Sequence, residues 1–252
     1  MSAGPRFPVY GYTRSAAMPP GVKWLLIINS VLFVVYFFAY QTGYASPFFY
    51  FGLIPRAVTE LFAFWQLVTY MFLHDPRNIF HILFNMLTLW MFGRELESTW
   101  GTRRFLKYYF LCGVGAGVCV ILAAAAFGSM ETRTIGASGA IYGLLLAFGV
   151  LFPDVPILFM FFFPMKAKYA VMLYGAIAFF GSFGSTGDGV SHIAHLGGML
   201  LGFVYLRSRR FRKAQTDFLT ALEHRYKDWK LRRAKRKFQV YLKKHGSRRD
   251  LQ

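Results

Sequence analysis

Ser138 stands in the run Gly136-Ala137-Ser138-Gly139, where an apolar segment begins. A serine at a helix start is most often an N-cap. The same setting suits a nucleophile, because small neighbours leave room for a substrate backbone and free N–H groups at the helix start can stabilise an oxyanion. His81-Ile-Leu-Phe-Asn85 places an imidazole and a carboxamide on one helix face, where both can donate hydrogen bonds; a satisfied interhelical polar pair is the alternative. In Ser191-His-Ile-Ala-His195-Leu-Gly-Gly198-Met-Leu-Leu-Gly202, residues His195, Gly198 and Gly202 share a face. A histidine then sits above a glycine track into which another helix can settle, as a general base beside that neighbour's serine or as a core histidine with one hydrogen bond. Together these three places supply a nucleophile, a base and two oxyanion donors, the inventory for acyl transfer. Metal chemistry is disfavoured, because asparagine is a poor zinc ligand and the chain has no HExxH and no Cys/His cluster. No cofactor is expected.

These groups need helices to hold them, and the composition says in what solvent. Of 252 residues, 56% are hydrophobic, 19% are aromatic and only 16% are charged. Globular averages are nearer 45–50% apolar and 25% charged, so a disordered chain is excluded and a soluble single domain is argued against. The net charge of +18 suggests nucleic acid until it is located. Residues 207–252 hold 17 Lys and Arg against 4 Asp and Glu, a local net of +13. Beside a hydrophobic segment, such a run is first a cytoplasmic anchor on anionic lipid, and no nucleic-acid partner is expected.

Val22 to Tyr40 is long enough to cross a hydrocarbon core of about 30 Å, with Arg6, Arg14 and Lys23 at or before its start, and is expected to be an uncleaved signal-anchor helix. Further spans are expected at Asn78 to Leu96, Phe105 to Phe127, Ser138 to Phe152, Tyr169 to Phe183 and His192 to Leu206. Phe48 to Leu73 is broken by Pro55, Arg56 and Glu60, and Ile157 to Phe163 is only seven residues between prolines, so both are expected to be interfacial or hairpin segments. With six spans, the Arg94 to Lys107 connection, Lys166 with Lys168, and the tail all lie on the side of the N-terminus, as the positive-inside rule requires.

The fold expected is an all-α membrane protein, a six-helix bundle with a basic tail: residues 1–21 as a cytoplasmic segment, 22–206 as the membrane domain and 207–252 as a helical cytoplasmic tail. Gly113 with Gly117, Gly139 with Gly143, and Gly198 with Gly202 are i, i+4 pairs that let helices approach closely. Cys112 and Cys119 sit roughly 10 Å apart along a helix, too far to pair, and are expected to be small packing residues.

HxxxN on the second span, GxSG opening the fourth and AHxxGxxxG on the sixth together resemble the rhomboid intramembrane serine proteases, over about residues 22–206. The resemblance implies that Ser138 is the nucleophile and His195 the base, with His81, Asn85 and the Ser138 N–H forming the oxyanion hole. It implies that Tyr142 packs against the catalytic histidine, that Gly136, Gly139, Gly198 and Gly202 support the site, and that Phe48 to Leu73 is a half-submerged external loop. It further implies that Gly93-Arg-Glu-Leu-Glu97 is the turn after the second span. Many members have a Trp-Arg pair in that loop, where this chain has Trp65-Gln66. His74 and His192, near the motif positions, are expected to be structural. The activity implied is cleavage of single-span or multi-span membrane proteins within their transmembrane segments, near the non-cytoplasmic face, by a multi-pass cell-membrane protein with both termini cytoplasmic. The alternatives are a non-catalytic rhomboid-like protein that binds membrane segments, a class that typically lacks the serine or histidine retained here, and a small transporter or channel.

Overall fold

The computed structural model describes residues 17–159, 162–182 and 192–208, together with Leu231 and Lys235. Most of the basic tail expected over residues 207–252, and Ser191, lie outside the described residues. The chain divides into two units at Phe203/Val204, and all interactions below belong to the first.

Helix α1 (Pro20–Gln41) begins with proline at its first position, where a missing N–H costs nothing. Its next two N–H groups are taken by a distant carboxylate: Glu97, 2% exposed, accepts from Gly21 N at 2.8 Å and Val22 N at 2.7 Å. Thr102 Oγ1 donates to the same side chain at 2.6 Å. A buried anion at a helix N-terminus satisfies orphan donors and complements the helix dipole, and each such bond is worth about 1.5–3 kcal/mol. Trp24, Val31, Val34, Val35 and Phe38 on α1 are all exposed, an apolar surface suited to lipid.

The segment 48–73 contains no long helix. It forms α2 (Ser46–Phe49), α3 (Pro55–Glu60), α4 (Gln66–Thr69) and a 3₁₀ turn at Tyr70–Phe72. Gln66, 2% exposed, ties these pieces together by accepting from Ile54 N at 2.9 Å and donating to the Tyr50 carbonyl at 3.0 Å. Trp65 Nε1 donates to the same carbonyl at 3.2 Å and Thr69 Oγ1 to that of Phe51 at 2.8 Å. Leu53 and Thr134 exchange both backbone hydrogen bonds, and Arg56 pairs with Glu131 at 2.8 Å, so the segment is also fastened to the loop before Ser138.

Asn78 caps α5 (Ile79–Thr88) by accepting from Phe80 N at 3.1 Å. The helix continues through a π-helical turn at Leu89–Gly93 into α6 (Arg94–Trp100), so the expected segment Asn78 to Leu96 is helical but not uniformly wound. Gly101, at φ +78°, turns the chain into α7 (Thr102–Phe127), which ends at left-handed Gly128. Helix α8 (Ser138–Leu151) packs on α7, with Tyr108 Oη donating to the Gly143 carbonyl at 2.8 Å. A Cβ on Gly143 would lie 2.5 Å from Cys112 Sγ, so the buried thiol fills the space that the glycine leaves. Both cysteines are free.

Strands β1 (Pro156–Phe159) and β2 (Phe163–Lys166) form an antiparallel hairpin, and α9 (Ala167–Gly181) follows. Hydrogen bonds from Lys168 and Lys166 hold the exposed Asp154 carboxyl below its ordinary range. Helix α10 (His192–Arg207) completes the described elements. By length and apolar composition α1 and α7 can cross a membrane, while α8 and α9 are shorter apolar helices.

Candidate active site

The approach of α8 and α10 makes the site. A Cβ on Gly198 would fall on the carbonyl oxygen of Gly139, and one on Gly139 would come within 3.3 Å of the Ala194 carbonyl. Backbone therefore meets backbone, and side chains one turn along face each other: Ser138 Oγ and His195 Nε2 are 2.9 Å apart. His195 is 5% exposed, and its ring lies flat on that of Tyr142, with centroids 4.1 Å apart and planes 5° from parallel. Farther down, Gly202 has no room for a Cβ beside Tyr108 Oη, which keeps α10 against α7 as well.

Ser138 is the first residue of α8, and Ala137, whose side chain cannot cap, precedes it. The hydroxyl is thus turned to His195 rather than spent on a cap, while the first N–H groups of α8 lack acceptors within their own helix. Gly136 must be glycine on two grounds. Its φ is +120°, and a Cβ there would sit 2.8 Å from His81 Nε2 and 3.8 Å from Ser138 Oγ. Its N–H donates to the Tyr70 carbonyl at 2.9 Å, and Tyr70 Oη donates to the Gly113 carbonyl at 2.7 Å, so the 3₁₀ turn pins the loop to α7. Tyr70 carries no pattern that sequence reasoning could have singled out.

His81 brings its Nε2 beside Gly136, two residues before Ser138. The Asp75 N–H donates to His81 Nδ1 at 3.3 Å, which makes Nδ1 the acceptor and leaves the proton of the neutral ring on Nε2, facing the site. Arg77 holds the Asp75 turn: burial pushes the carboxyl up, but the hydrogen bonds from Arg77 outweigh it and keep it below its ordinary range. Asn85, 8% exposed, spends one amide hydrogen on the His81 carbonyl at 2.7 Å and keeps the other. His74 is fully buried against His81, with ring centroids 5.0 Å apart, and neither of its nitrogens has a partner. Burial, with His81 alongside, lowers its pKa to about 3.

The structure therefore gathers Ser138, His195, Tyr142, His81, Gly136, Gly139 and Gly198 around one point, with Asn85 one turn from His81. Gly202 lies farther along α10. No cluster of three metal-ligating side chains occurs among the described residues. A nucleophile touching a neutral imidazole, with a second imidazole donor alongside, can carry out acyl transfer.

The rhomboid domain family matches residues 62–209, more than half of the chain, and the chain belongs to the rhomboid family of intramembrane proteases. It is 26% identical over 242 residues to Rhomboid protein 1, mitochondrial, of Saccharomyces cerevisiae, covering 79% of this chain and 67% of that protein. To Rhomboid-like protease 2 of Toxoplasma gondii it is 30% identical over 215 residues, 76% of this chain and 70% of the relative. To Rhomboid protease GluP of Bacillus subtilis it is 29% identical over 153 residues, 61% of this chain but only 27% of that protein.

Proposed function

We propose that the chain is an active intramembrane serine endopeptidase that uses Ser138 and His195 as a dyad. The observation that carries this reading is the 2.9 Å contact between Ser138 Oγ and His195 Nε2 at a buried, glycine-lined helix crossing. His195 takes the hydroxyl proton as Oγ attacks the scissile carbonyl, then delivers it to the leaving amine, and water repeats the sequence to release the acyl group. The developing oxyanion is received by His81 Nε2–H, the remaining Asn85 amide hydrogen and the Ser138 N–H. Tyr142 fixes the plane of the imidazole through the change of charge.

The membrane domain, residues 22–206, spans six times: α1, α5 with the π turn and α6, α7, α8, α9 and α10. Both termini are then cytoplasmic, the dyad lies toward the opposite face, segment 46–73 lies in the outer interface, and hairpin 156–166 lies at the inner one. Substrates are membrane proteins whose helix unwinds locally at a small residue. The +13 tail contacts anionic lipid.

The test is cleavage of a single-span reporter by detergent-purified protein, with fluorophosphonate labelling in parallel. Wild type should cleave and be labelled, and Ser138→Ala and His195→Ala should each abolish cleavage while remaining folded. Persistent cleavage by Ser138→Ala would remove the assignment. Reporter fusions at Gln252 and within Gly128 to Ile135 should report opposite sides; the same side for both would break the topology.

A further inference from the structure

In the dyad reading, on which this inference rests, His195 can serve Ser138 only while its ring keeps one orientation. Ser138 holds a single atom of that ring, Nε2, and among the described residues none pairs with the buried Nδ1. His192 meets the ring edge-on, with centroids 5.9 Å apart. A hydrogen bond at one atom does not fix a plane, and the flat contact with Tyr142 does. What holds Tyr142 in turn lies on α9. Helices α8 and α9 close on Gly149, where a Cβ would lie 2.7 Å from Val171 Cγ2 and 3.5 Å from the Ala167 carbonyl. Tyr142 is two turns from Gly149 and Tyr174 two turns from Ala167, so this close approach also brings the two tyrosines across from each other. Their rings meet edge to face, with centroids 6.2 Å apart and planes 78° apart. Behind Tyr174 stands the hairpin, fastened to the start of α9 by hydrogen bonds from Ala167 N to the Val155 carbonyl at 2.9 Å and from Lys168 N to that of Pro153 at 3.1 Å. Strand alternation leaves Leu158 50% exposed and turns Phe159 inward, 8% exposed, with its ring centroid 4.8 Å from that of Tyr174.

We propose that Tyr174 is a positioning residue of the proteolytic site: backed by Phe159 of the hairpin, its ring keeps Tyr142 flat against His195 and so keeps Nε2 aimed at Ser138. The series Phe159, Tyr174, Tyr142, His195 crosses four elements, β1, α9, α8 and α10, and every step in it is a contact between rings. Aromatic rings suit the task, because they have few torsions to freeze and their contacts prefer particular angles as well as apolar surroundings. The role involves no proton transfer and no bond to substrate.

The experiment compares full-length wild type, Tyr174→Leu and Tyr174→Phe for reporter cleavage and for the rate of fluorophosphonate labelling, with melting temperature recorded for each. A small fluorophosphonate needs the dyad but no docked helix, so its rate reads the base apart from substrate binding. From the worth of an aromatic pair, Tyr174→Leu should lose about 3- to 10-fold in kcat and in labelling rate alike, with KM within about twofold. Tyr174→Phe keeps the ring and should restore most of both. A folded Tyr174→Leu labelled at the wild-type rate, one impaired in KM alone, or a Tyr174→Phe no better than it overturns the proposal. If the leucine variant does not fold, Phe159→Leu decides: slower labelling with KM unchanged supports the role, and labelling at the wild-type rate overturns it. Failure of wild type to be labelled would instead overturn the dyad reading, and this inference with it.

Discussion

The carbonyl oxygen of Gly139 occupies the place where a side chain on Gly198 would begin. Helices α8 and α10 therefore meet without any intervening side chain, and the distance between Ser138 and His195 is set by main chain. Gly198→Ala must push the helices apart or tilt them. Overpacking of this kind costs about 1–3 kcal/mol, and the expected outcome is a lowered melting temperature together with near-complete loss of reporter cleavage. Retained activity at wild-type stability would show that the crossing tolerates a methyl group and that the contact does not set the dyad.

Asn85→Ala should slow turnover by about 10²–10³ without abolishing it, as is typical for loss of one oxyanion donor. His81→Ala should act similarly. In the proposed mechanism both would act mainly on charge present in the transition state, so KM should change little while kcat falls. An Asn85 variant with full kcat, or one impaired only in KM, would reduce the HxxxN face to packing.

His74 offers a pH-dependent prediction. Its pKa is about 3 in the folded chain against 6.5 for an ordinary histidine, so the unfolded chain binds the extra proton first as pH falls. The associated stability is complete above about pH 6.5 and is lost progressively below it, by about 1.4 kcal/mol per pH unit. His74→Phe keeps a buried ring of similar shape and removes the titration. Its melting temperature should fall less than that of wild type between pH 7 and pH 5, and parallel curves would show that His74 does not carry the acid sensitivity.

Gln66→Ala should leave Ile54 N and the Tyr50 carbonyl with fewer partners, at a cost of about 1–3 kcal/mol for a buried group left unsatisfied. The expected signs are a lower melting temperature and faster limited proteolysis within residues 46–62. Unchanged proteolysis would show that the pairing of Leu53 with Thr134 holds the segment alone.

What could be seen in the sequence was local and periodic. Four-residue spacings such as His81 to Asn85 and Gly198 to Gly202 follow from helix geometry, so the faces they share could be drawn without coordinates. The interruption of 48–73 by Pro55 and Arg56 likewise gave away a segment without a long helix. What could not be seen was which distant group satisfies which. Glu97 caps a helix 76 positions upstream, Gln66 bonds to groups 12 and 16 residues away, and the Tyr70 carbonyl anchors Gly136. Such pairings have no period, because they are set by where chain turns happen to meet. The π turn was equally hidden, since Leu89 to Gly93 is as apolar as its surroundings.

That π turn sets the phase of the helix that carries His81 and Asn85. Twelve residues separate Asn85 from Glu97, and at about 100° per residue a regular α-helix would turn them about 120° apart. A π turn acts as a single inserted residue. Discounting it leaves eleven effective steps, about 20° from full turns, so the carboxamide and the carboxylate return to nearly one line on the helix. Both are buried, one bonded to the His81 carbonyl and the other at the start of α1. The turn works as a vernier between two fixed marks, and deleting one residue within Leu89–Gly93 would leave the chain a choice between a site with no anchor and an anchor with no site.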